Sequence, residues 1–472
     1  MEALTNLIWI SYLLNIIIII TIVCFQRRNP ISSMAWILFL ILVPTVGGIL
    51  FLIFGVGIKA YTRRKYMEKL EMNEKSILKK QKELIREQRG EELPHSGMIK
   101  YFLNYNCVYC ANNSVEIFAD AEKKYDALLE DIKNAKESIN ILYFIIRNDN
   151  IGNRLIDLLC EKAREGVKVR LMYDGFGSIL TPRRLFNRLR AVESSEVEEF
   201  FPVRIFSMSK INHRNHRKIV VVDDKIAYLG GMNIGDEYMG RNKKNLPWRD
   251  THIRFEGDAV EYVQRCFAMD WEFSTGKKIP VKTGGDAAAA GDTAMQIVAS
   301  GPDSESEEIK CGMIRMLYGA KQYAYIQTPY FVPDDAFLTA VSSAAKSGVD
   351  VRVMIPGIPD KKYVYNTTMS YMGELLEAGV KVYLYPGFIH SKTMTVDDHI
   401  CTIGSTNIDI RSFRLLFELN AFMYSDKKAI ECRRIFEKDQ SVCNELTIEA
   451  YKKRGIIKMI KEGFFRLFSP IM

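Results

Sequence analysis

The chain has 472 residues, room for about three units of 150 residues each on the usual domain-size prior. Its 65 Lys+Arg against 57 Asp+Glu leave a net charge of +8, and 48% hydrophobic residues stand beside 26% charged ones. That balance excludes a disordered chain, a collagen and a small disulfide scaffold, and it is too polar for a polytopic transporter.

The apolar residues are spread unevenly, and the N-terminus holds the extreme. No charge interrupts residues 4–25, and a second uncharged run covers residues 31–58. Each exceeds the roughly 20 residues an α-helix needs to cross a bilayer. Residues 1–60 are therefore expected to form a two-helix transmembrane hairpin, kinked near Pro44 and Gly47-Gly48. A cleaved signal peptide fits less well, since no basic stretch precedes the first run and no small-residue cleavage site follows it. Lys59, Arg63, Arg64 and Lys65 after the second run outnumber Arg27 and Arg28 in the link, which favours a body facing the cytoplasm. The nine cysteines are odd in number and scattered, the pattern of reduced thiols; Cys107-Val-Tyr-Cys110 has metal-type spacing, but no second pair or nearby His completes a zinc site. Residues 61–98 are a charged connector whose sparse apolar positions suit a solvated helix, or one lying on a membrane surface.

From Ile99 onward the chain repeats itself. The β-rich run 139–146 returns at 323–331, and the helix-to-strand stretch 162–171, with Gly166, returns at 344–353, with Gly348. Glycine closing a helix before a β-branched strand is a βαβ signature. Two α/β units follow, at residues 99–282 and 295–446, joined by a small-residue linker at 283–294 and trailed by a basic tail at 447–472.

The chemistry emerges from the six histidines. Two of them, His216 and His390, each have Lys two residues later (Lys218, Lys392) and Asp seven later (Asp223, Asp397), at equivalent places in the two copies. Residues i and i+2 of a β-strand share a face, so each His projects beside its Lys. Each Asp opens an Asp-Asp or Asp-Asp-His turn, where its side chain supports the local backbone, and it is expected to shape the site without performing the chemical step. Behind each hairpin comes a small-residue string, Gly230-Gly231-Met232-Asn233 and Gly404-Ser405-Thr406-Asn407, whose Asn233, Ser405 and Asn407 could cradle a phosphate. Asp250 and Glu418 lie further on. Either could accept a hydrogen bond from an imidazole, or form a surface salt bridge.

The doubled His-x-Lys-x4-Asp element with its trailing Gly-x-x-Asn resembles the phospholipase D superfamily. The N-terminal runs, with the stretch Asn29-Pro30-Ile31-Ser32-Ser33-Met34-Ala35-Trp36, and the ending Phe465-Arg466-Leu467-Phe468-Ser469-Pro470 resemble bacterial cardiolipin synthases. The first copy departs from the second in having Gly231 where the second has Ser405. The resemblance implies an α/β fold of two tandem phospholipase D-like α/β/α repeats with a shared active site. It implies a phosphatidyltransferase that joins two phosphatidylglycerol molecules into cardiolipin and releases glycerol, in a bacterial cell membrane. His216 would attack phosphorus and His390 would act as acid and base, roles the near symmetry could exchange. Lys218, Lys392, Asn233 and Asn407 would hold the nonbridging oxygens; no metal and no cofactor are expected. The tail places Ile456, Ile460 and Phe464 on one helical face amid basic residues, which suits either an interfacial helix drawn to anionic phospholipid or an ordinary core-packing helix. Competing readings are a phospholipid hydrolase, a phosphatidylserine synthase, a nuclease, or a non-catalytic membrane lipid-binding protein. No nucleic-acid partner is expected, because much of the positive charge lies at the chain ends.

Overall fold

The computed structural model describes residues 2–25, 30–51, 77–83, 95–202, 212–241, 246–282, 291–304 and 306–471. The Arg27-Arg28 link, the basic flank from Lys59, most of the charged connector and most of the 283–294 linker lie outside the described residues. Two units are distinguished, residues 1–59 with 201–213, and residues 60–200 with 214–472.

In the first unit the apolar runs form α1 (Glu2–Phe25), α2 (Pro30–Leu42) and α3 (Pro44–Leu50). Among the described residues no helix is long and apolar enough to cross a membrane. The expected pair of crossing helices is therefore corrected: proline divides the second run into helices of 13 and 7 residues. Pro44 has no N–H to close a helical bond onto the carbonyl of Leu40. Asn15 of α1 supplies the missing donor, its Nδ2 reaching Leu40 O at 2.9 Å and Pro44 O at 2.8 Å. Gly48 permits this approach, because a Cβ there would lie 2.8 Å from Asn15 Oδ1.

The second unit carries the duplication. The first repeat orders β1 (Asn113–Phe118), β2 (Ser138–Tyr143), β3 (Lys168–Asp174), β4 (Ser195–Phe200), β5 (Ile219–Val222), β6 (Ile226–Gly230), a short β7 (Trp248–Arg249) and β8 (His252–Gly257). The second orders β9 (Ala294–Ser300), β10 (Tyr323–Gln327), β11 (Phe331–Val332), β12 (Asp350–Pro356), β13 (Lys381–Tyr385), β14 (Phe388–Ile389), β15 (Thr393–Val396), β16 (Ile400–Gly404), β17 (Ile408–Asp409), β18 (Glu418–Tyr424) and β19 (Asn444–Leu446). One sheet runs β1-β8-β6-β5-β2-β3-β4, and the other runs β9-β18-β16-β15-β10-β12-β13-β19. Strand for strand the two orders coincide, with β19 as the one addition. In both, β2-β3-β4 or β10-β12-β13 is parallel and the remaining pairings, that of β19 included, are antiparallel.

Helices cover both sheets: α4 (Ala121–Asn134), α5 (Asn150–Arg164) and α6 (Val260–Thr275) in the first repeat, then α7 (Asp335–Lys346), α8 (Lys362–Glu377) and α9 (Asp426–Gln440) in the second. Gly166 (φ +90°) and Gly348 (φ +92°) follow α5 and α7 in the left-handed conformation that ends a helix before a strand. Each sheet has its own core, with Ile139, Ile141, Leu155 and Val220 in the first and Ile326, Phe337, Val353 and Met394 in the second. One boundary differs from expectation. Phe102, just inside the stretch assigned to the first repeat, lies in the second core with its ring 4.7 Å from Phe422.

The paired aspartates explain the hairpins. Asp223-Asp224 and Asp397-Asp398 all have φ between +52° and +57°, the double left-handed turn that matches the twist of a two-residue hairpin. Asp223 then accepts backbone N–H bonds from Lys136, Glu137 and Ser138 at 2.7–2.9 Å, and Asp397 from Lys321, Gln322 and Tyr323 at 2.6–2.9 Å. Each carboxylate thus ties its hairpin to the start of the neighbouring antiparallel strand, β2 or β10, about 20 Å along the chain from the histidine. Replacing Asp223 by Ala strands three donors and is expected to lower stability by about 2–4 kcal/mol, read by denaturant unfolding, with catalysis per folded molecule largely retained.

Candidate active site

Each histidine is positioned by the other repeat. The residues before β5 run beside those before β18: Phe417 N donates to Arg214 O and His216 N to Phe417 O, both at 2.9 Å. Correspondingly, β14 pairs in parallel with β7, and His390 N donates to Arg249 O at 2.6 Å. These cross-repeat ladders set Glu418 opposite His216 and Asp250 opposite His390.

The imidazole contacts are accordingly crossed. His216 Nδ1 donates to Glu418, with Oε1 at 2.9 Å and Oε2 at 3.1 Å, and lies 3.1 Å from Ser405 O. His390 Nδ1 donates to Asp250 Oδ2 at 2.6 Å. Donation from Nδ1 leaves the lone pair on Nε2 of each ring, the atom available for attack or proton transfer. Asp250 and Glu418 are therefore buried orienting partners, and the surface-salt-bridge alternative does not hold.

Lys218 and Lys392 are buried and each donates to the carbonyl of its own histidine, His216 O and His390 O. Burial pushes Lys218 down to about 7 and Lys392 down to about 8, against the pull of Glu418 and Asp250. Burial likewise lowers His216 to about 4 and His390 to about 3, so both rings are neutral at pH 7. Asp250 is opposed by burial, but Lys392 and His390 outweigh it and hold its carboxyl below the usual range. Lys392 acts on His216 and Lys218 on His390, which makes this one electrostatic site.

The small-residue strings behave differently from expectation. The Ser405 hydroxyl, expected to meet a phosphate, instead donates to Glu418 Oε2 and accepts from Leu419 N at 2.9 Å. Gly231 answers a steric demand, since a Cβ there would stand 2.2 Å from Asp250 Oδ1. Asn233 is committed to the scaffold, with Oδ1 accepting from Ile145 N at 3.1 Å and Nδ2 donating to Tyr238 Oη at 3.0 Å. Asn407 is buried, and its Oδ1 has no hydrogen-bond partner among the described residues. Asp223 and Asp397 lie at the far hairpin turns, away from the imidazoles.

Several residues that sequence reasoning did not single out complete the site. Arg217, between His216 and Lys218, donates to Glu418 O at 3.1 Å and is held by Asp270 of α6 at 2.6 and 2.7 Å. Arg249 donates to Asp250 O and is held by Asp439 of α9 at 3.0–3.1 Å. Each guanidinium fixes the backbone of one orienting carboxylate through an aspartate on an equivalent helix. The Arg directly before Asp250 was the available sequence signal for one of them. Rings border both imidazoles: Phe144 stands edge-on 5.1 Å from His216, while Trp248 and Phe388 lie 5.5 and 5.9 Å from His390.

Glu418→Gln or Asp250→Asn should reduce kcat on the order of 10³–10⁴-fold by misdirecting the imidazole tautomer, with folding retained by circular dichroism. Gly231→Ser should be far more damaging than Ser405→Gly in the same assay, because only the first substitution drives an atom into a catalytic contact. In the pH profile of kcat/KM, protonation of the His216 lone pair removes activity below about 4, and loss of ammonium charge removes it as pH rises through about 7 to 8. Lys218→Arg should abolish the lower alkaline step and leave the one near 8 from Lys392.

Comparison with known proteins agrees with this geometry. The family described as Cardiolipin synthase, PLD-like domain, matches residues 128–271 and 313–440, one stretch in each repeat, and Phospholipase D-nuclease N-terminal matches residues 13–55. A cardiolipin synthase of Oceanobacillus iheyensis is 42% identical over 99% of both chains, and the major cardiolipin synthase ClsA of Bacillus subtilis is 41% identical over 99% of both. The crystal structure of a phosphatidylserine synthase from Haemophilus influenzae shares the fold, with a TM-score of 0.60 at 13% identity over 80% of this chain and all of that one. The chain therefore belongs to the cardiolipin synthase family, phosphatidyltransferases of the phospholipase D type.

Proposed function

We propose that this site moves a phosphatidyl group from one phosphatidylglycerol to the terminal hydroxyl of another, giving cardiolipin and glycerol. The observation that carries the mechanism is the crossed pair of neutral imidazoles, each with Nδ1 on a buried carboxylate and Nε2 free to react. His216 Nε2 attacks phosphorus, the bond from phosphorus to the glycerol headgroup breaks, and the departing oxygen takes a proton from His390. For that step His390 must carry a second proton, which the phosphodiester charge and Asp250 together favour in the complex. The acceptor hydroxyl then gives its proton to the neutral His390 and displaces the phosphatidyl group from His216. Lys218 and Lys392 offset the charge growing on the nonbridging oxygens at a desolvated position, where each charge counts for more than it would in water.

The lipid substrate class finds support at the C-terminus. Helix α10 (Ile456–Arg466) turns its apolar residues outward: Ile456, Ile457, Ile460 and Phe464 are all exposed. Glu462 is the buried residue, held by Arg454 at 2.8 Å. An outward apolar face beside Lys452, Lys453 and Lys458 suits anionic phospholipid headgroups and argues against the core-packing alternative. With the apolar N-terminal helices, it supports membrane attachment, with the body on the cytoplasmic side.

Full-length enzyme given vesicles of phosphatidylglycerol should form cardiolipin and glycerol, and an acid-labile phosphoryl label should be trapped on His216. His216→Ala should remove both the label and the product. Label on His390 would exchange the two histidine roles; phosphatidic acid in place of cardiolipin would make the protein a hydrolase.

A further inference from the structure

Strands β3 and β12 occupy equivalent places in the two sheets, and the loop leaving each one meets the segment that precedes a catalytic histidine. In the first repeat, Asp174 at the end of β3 accepts from Phe176 N and Gly177 N at 2.9 and 3.0 Å, and from Asn215 N, adjacent to His216, at 3.0 Å. Gly177 lies so close to Phe144 that a Cβ would stand 2.2 Å from its carbonyl oxygen, and the Phe144 ring abuts His216. In the second repeat, Gly357 N donates to Tyr385 O at 2.7 Å and Ile358 N to Gly387 O at 3.2 Å; Phe388, the next residue, stacks on His390. Each loop is thus one aromatic ring away from a reacting imidazole.

Both loops present apolar side chains to solvent. Ile179 is 57% exposed and Leu180 80%, while Ile358 is 45% exposed and Tyr363, in the first turn of α8, 44%. The exposure is built in. Thr181 Oγ1 donates to Ile146 O, and Ser178 Oγ accepts from Ile146 N at 3.1 Å, so the first loop is pinned beneath its exposed tip. Single exposed apolar residues are ordinary, but two equivalent clusters bordering one site are not.

We propose that these two loops form an apolar rim that inserts among the acyl chains of the bilayer presenting the substrate. The inference rests on the lipid phosphodiester reading above. In a diacyl phospholipid only the glycerol backbone separates phosphorus from the chains, so a phosphorus held between the imidazoles sends its chains across whatever borders the site. Two loops suit a reaction that brings two lipids to one centre. The exposed apolar residues of α10 are attached through the helix that follows the second loop. Helix α8 begins there and carries α10 along its length, with Arg466 Nη1 donating to Ser370 O at 3.3 Å and Tyr371 Oη to Ser469 Oγ at 3.0 Å.

The test uses the full-length chain, with the double variant Ile179→Ser/Leu180→Ser and, separately, Ile358→Ser. Each is assayed on long-chain phosphatidylglycerol vesicles and on dihexanoyl phosphatidylglycerol held below its micelle-forming concentration. The rim predicts an apparent KM on vesicles raised about tenfold or more for the double variant, with kcat/KM on the monomeric lipid within about twofold of wild type. Leu180→Trp, which restores an interfacial side chain, should keep vesicle activity. Wild-type kinetics on vesicles, or equal losses on both substrates, would overturn the rim. Wild-type enzyme that made cardiolipin from neither lipid would instead overturn the functional reading beneath it.

Discussion

The site depends on one interaction made twice, a hydrogen bond from the Nδ1–H of an imidazole in one repeat to a carboxylate of the other. Neither repeat contains a complete dyad. Two lysines, two carboxylates and two imidazoles are nearly or wholly withdrawn from solvent here. Such burial is tolerable only where opposite charges meet in good geometry and every donor has a partner. Folding the halves together supplies those partners, so assembly of the repeats and assembly of the catalytic centre are one event.

The same constraint accounts for the inequality of the halves. Asp250 has the shorter side chain, and the backbone at Gly231 comes so near it that no Cβ fits. Glu418 reaches further and leaves room for Ser405, whose hydroxyl adds a donor to the carboxylate. The Gly-for-Ser difference between the copies is thus a matter of carboxylate length. The guanidinium supports are unequal in origin too. Arg217 comes from the His-x-Lys segment and Arg249 from the residue before the acid, yet each reaches the carbonyl of an orienting carboxylate and an aspartate on one of the equivalent helices α6 and α9. Similar geometry has been reached here through different sequence positions.

Each His is tied to its Lys through its own backbone carbonyl. Because the ammonium donates to the carbonyl of its own histidine, both functional groups belong to one short segment leading into β5 or β15. The Asp at the far end of β5 or β15 fixes the hairpin to the start of the antiparallel neighbour, β2 or β10. Chemistry and strand register are thereby joined along about 20 Å of backbone, which gives the His-x-Lys-x4-Asp spacing a mechanical meaning as well as a chemical one.

Local spacing was enough to read the duplication, the βαβ units, the glycine helix stops and the hairpin aspartates, since all of these are set within a few residues by backbone periodicity. What local spacing could not reveal lay across the repeat interface: the crossed pairing of His216 with Glu418 and His390 with Asp250, the guanidinium supports, and the diversion of Ser405 and Asn233 from phosphate to scaffold. The same holds for Phe102 seated in the second core, for the Asn15 bond that completes the Pro44 break, and for the outward apolar face of α10. A sequence determines which side chains share a face of an element, because that follows from its own dihedral repeat. Which face meets which neighbour depends on the packing of distant segments, and only the tertiary structure decides it.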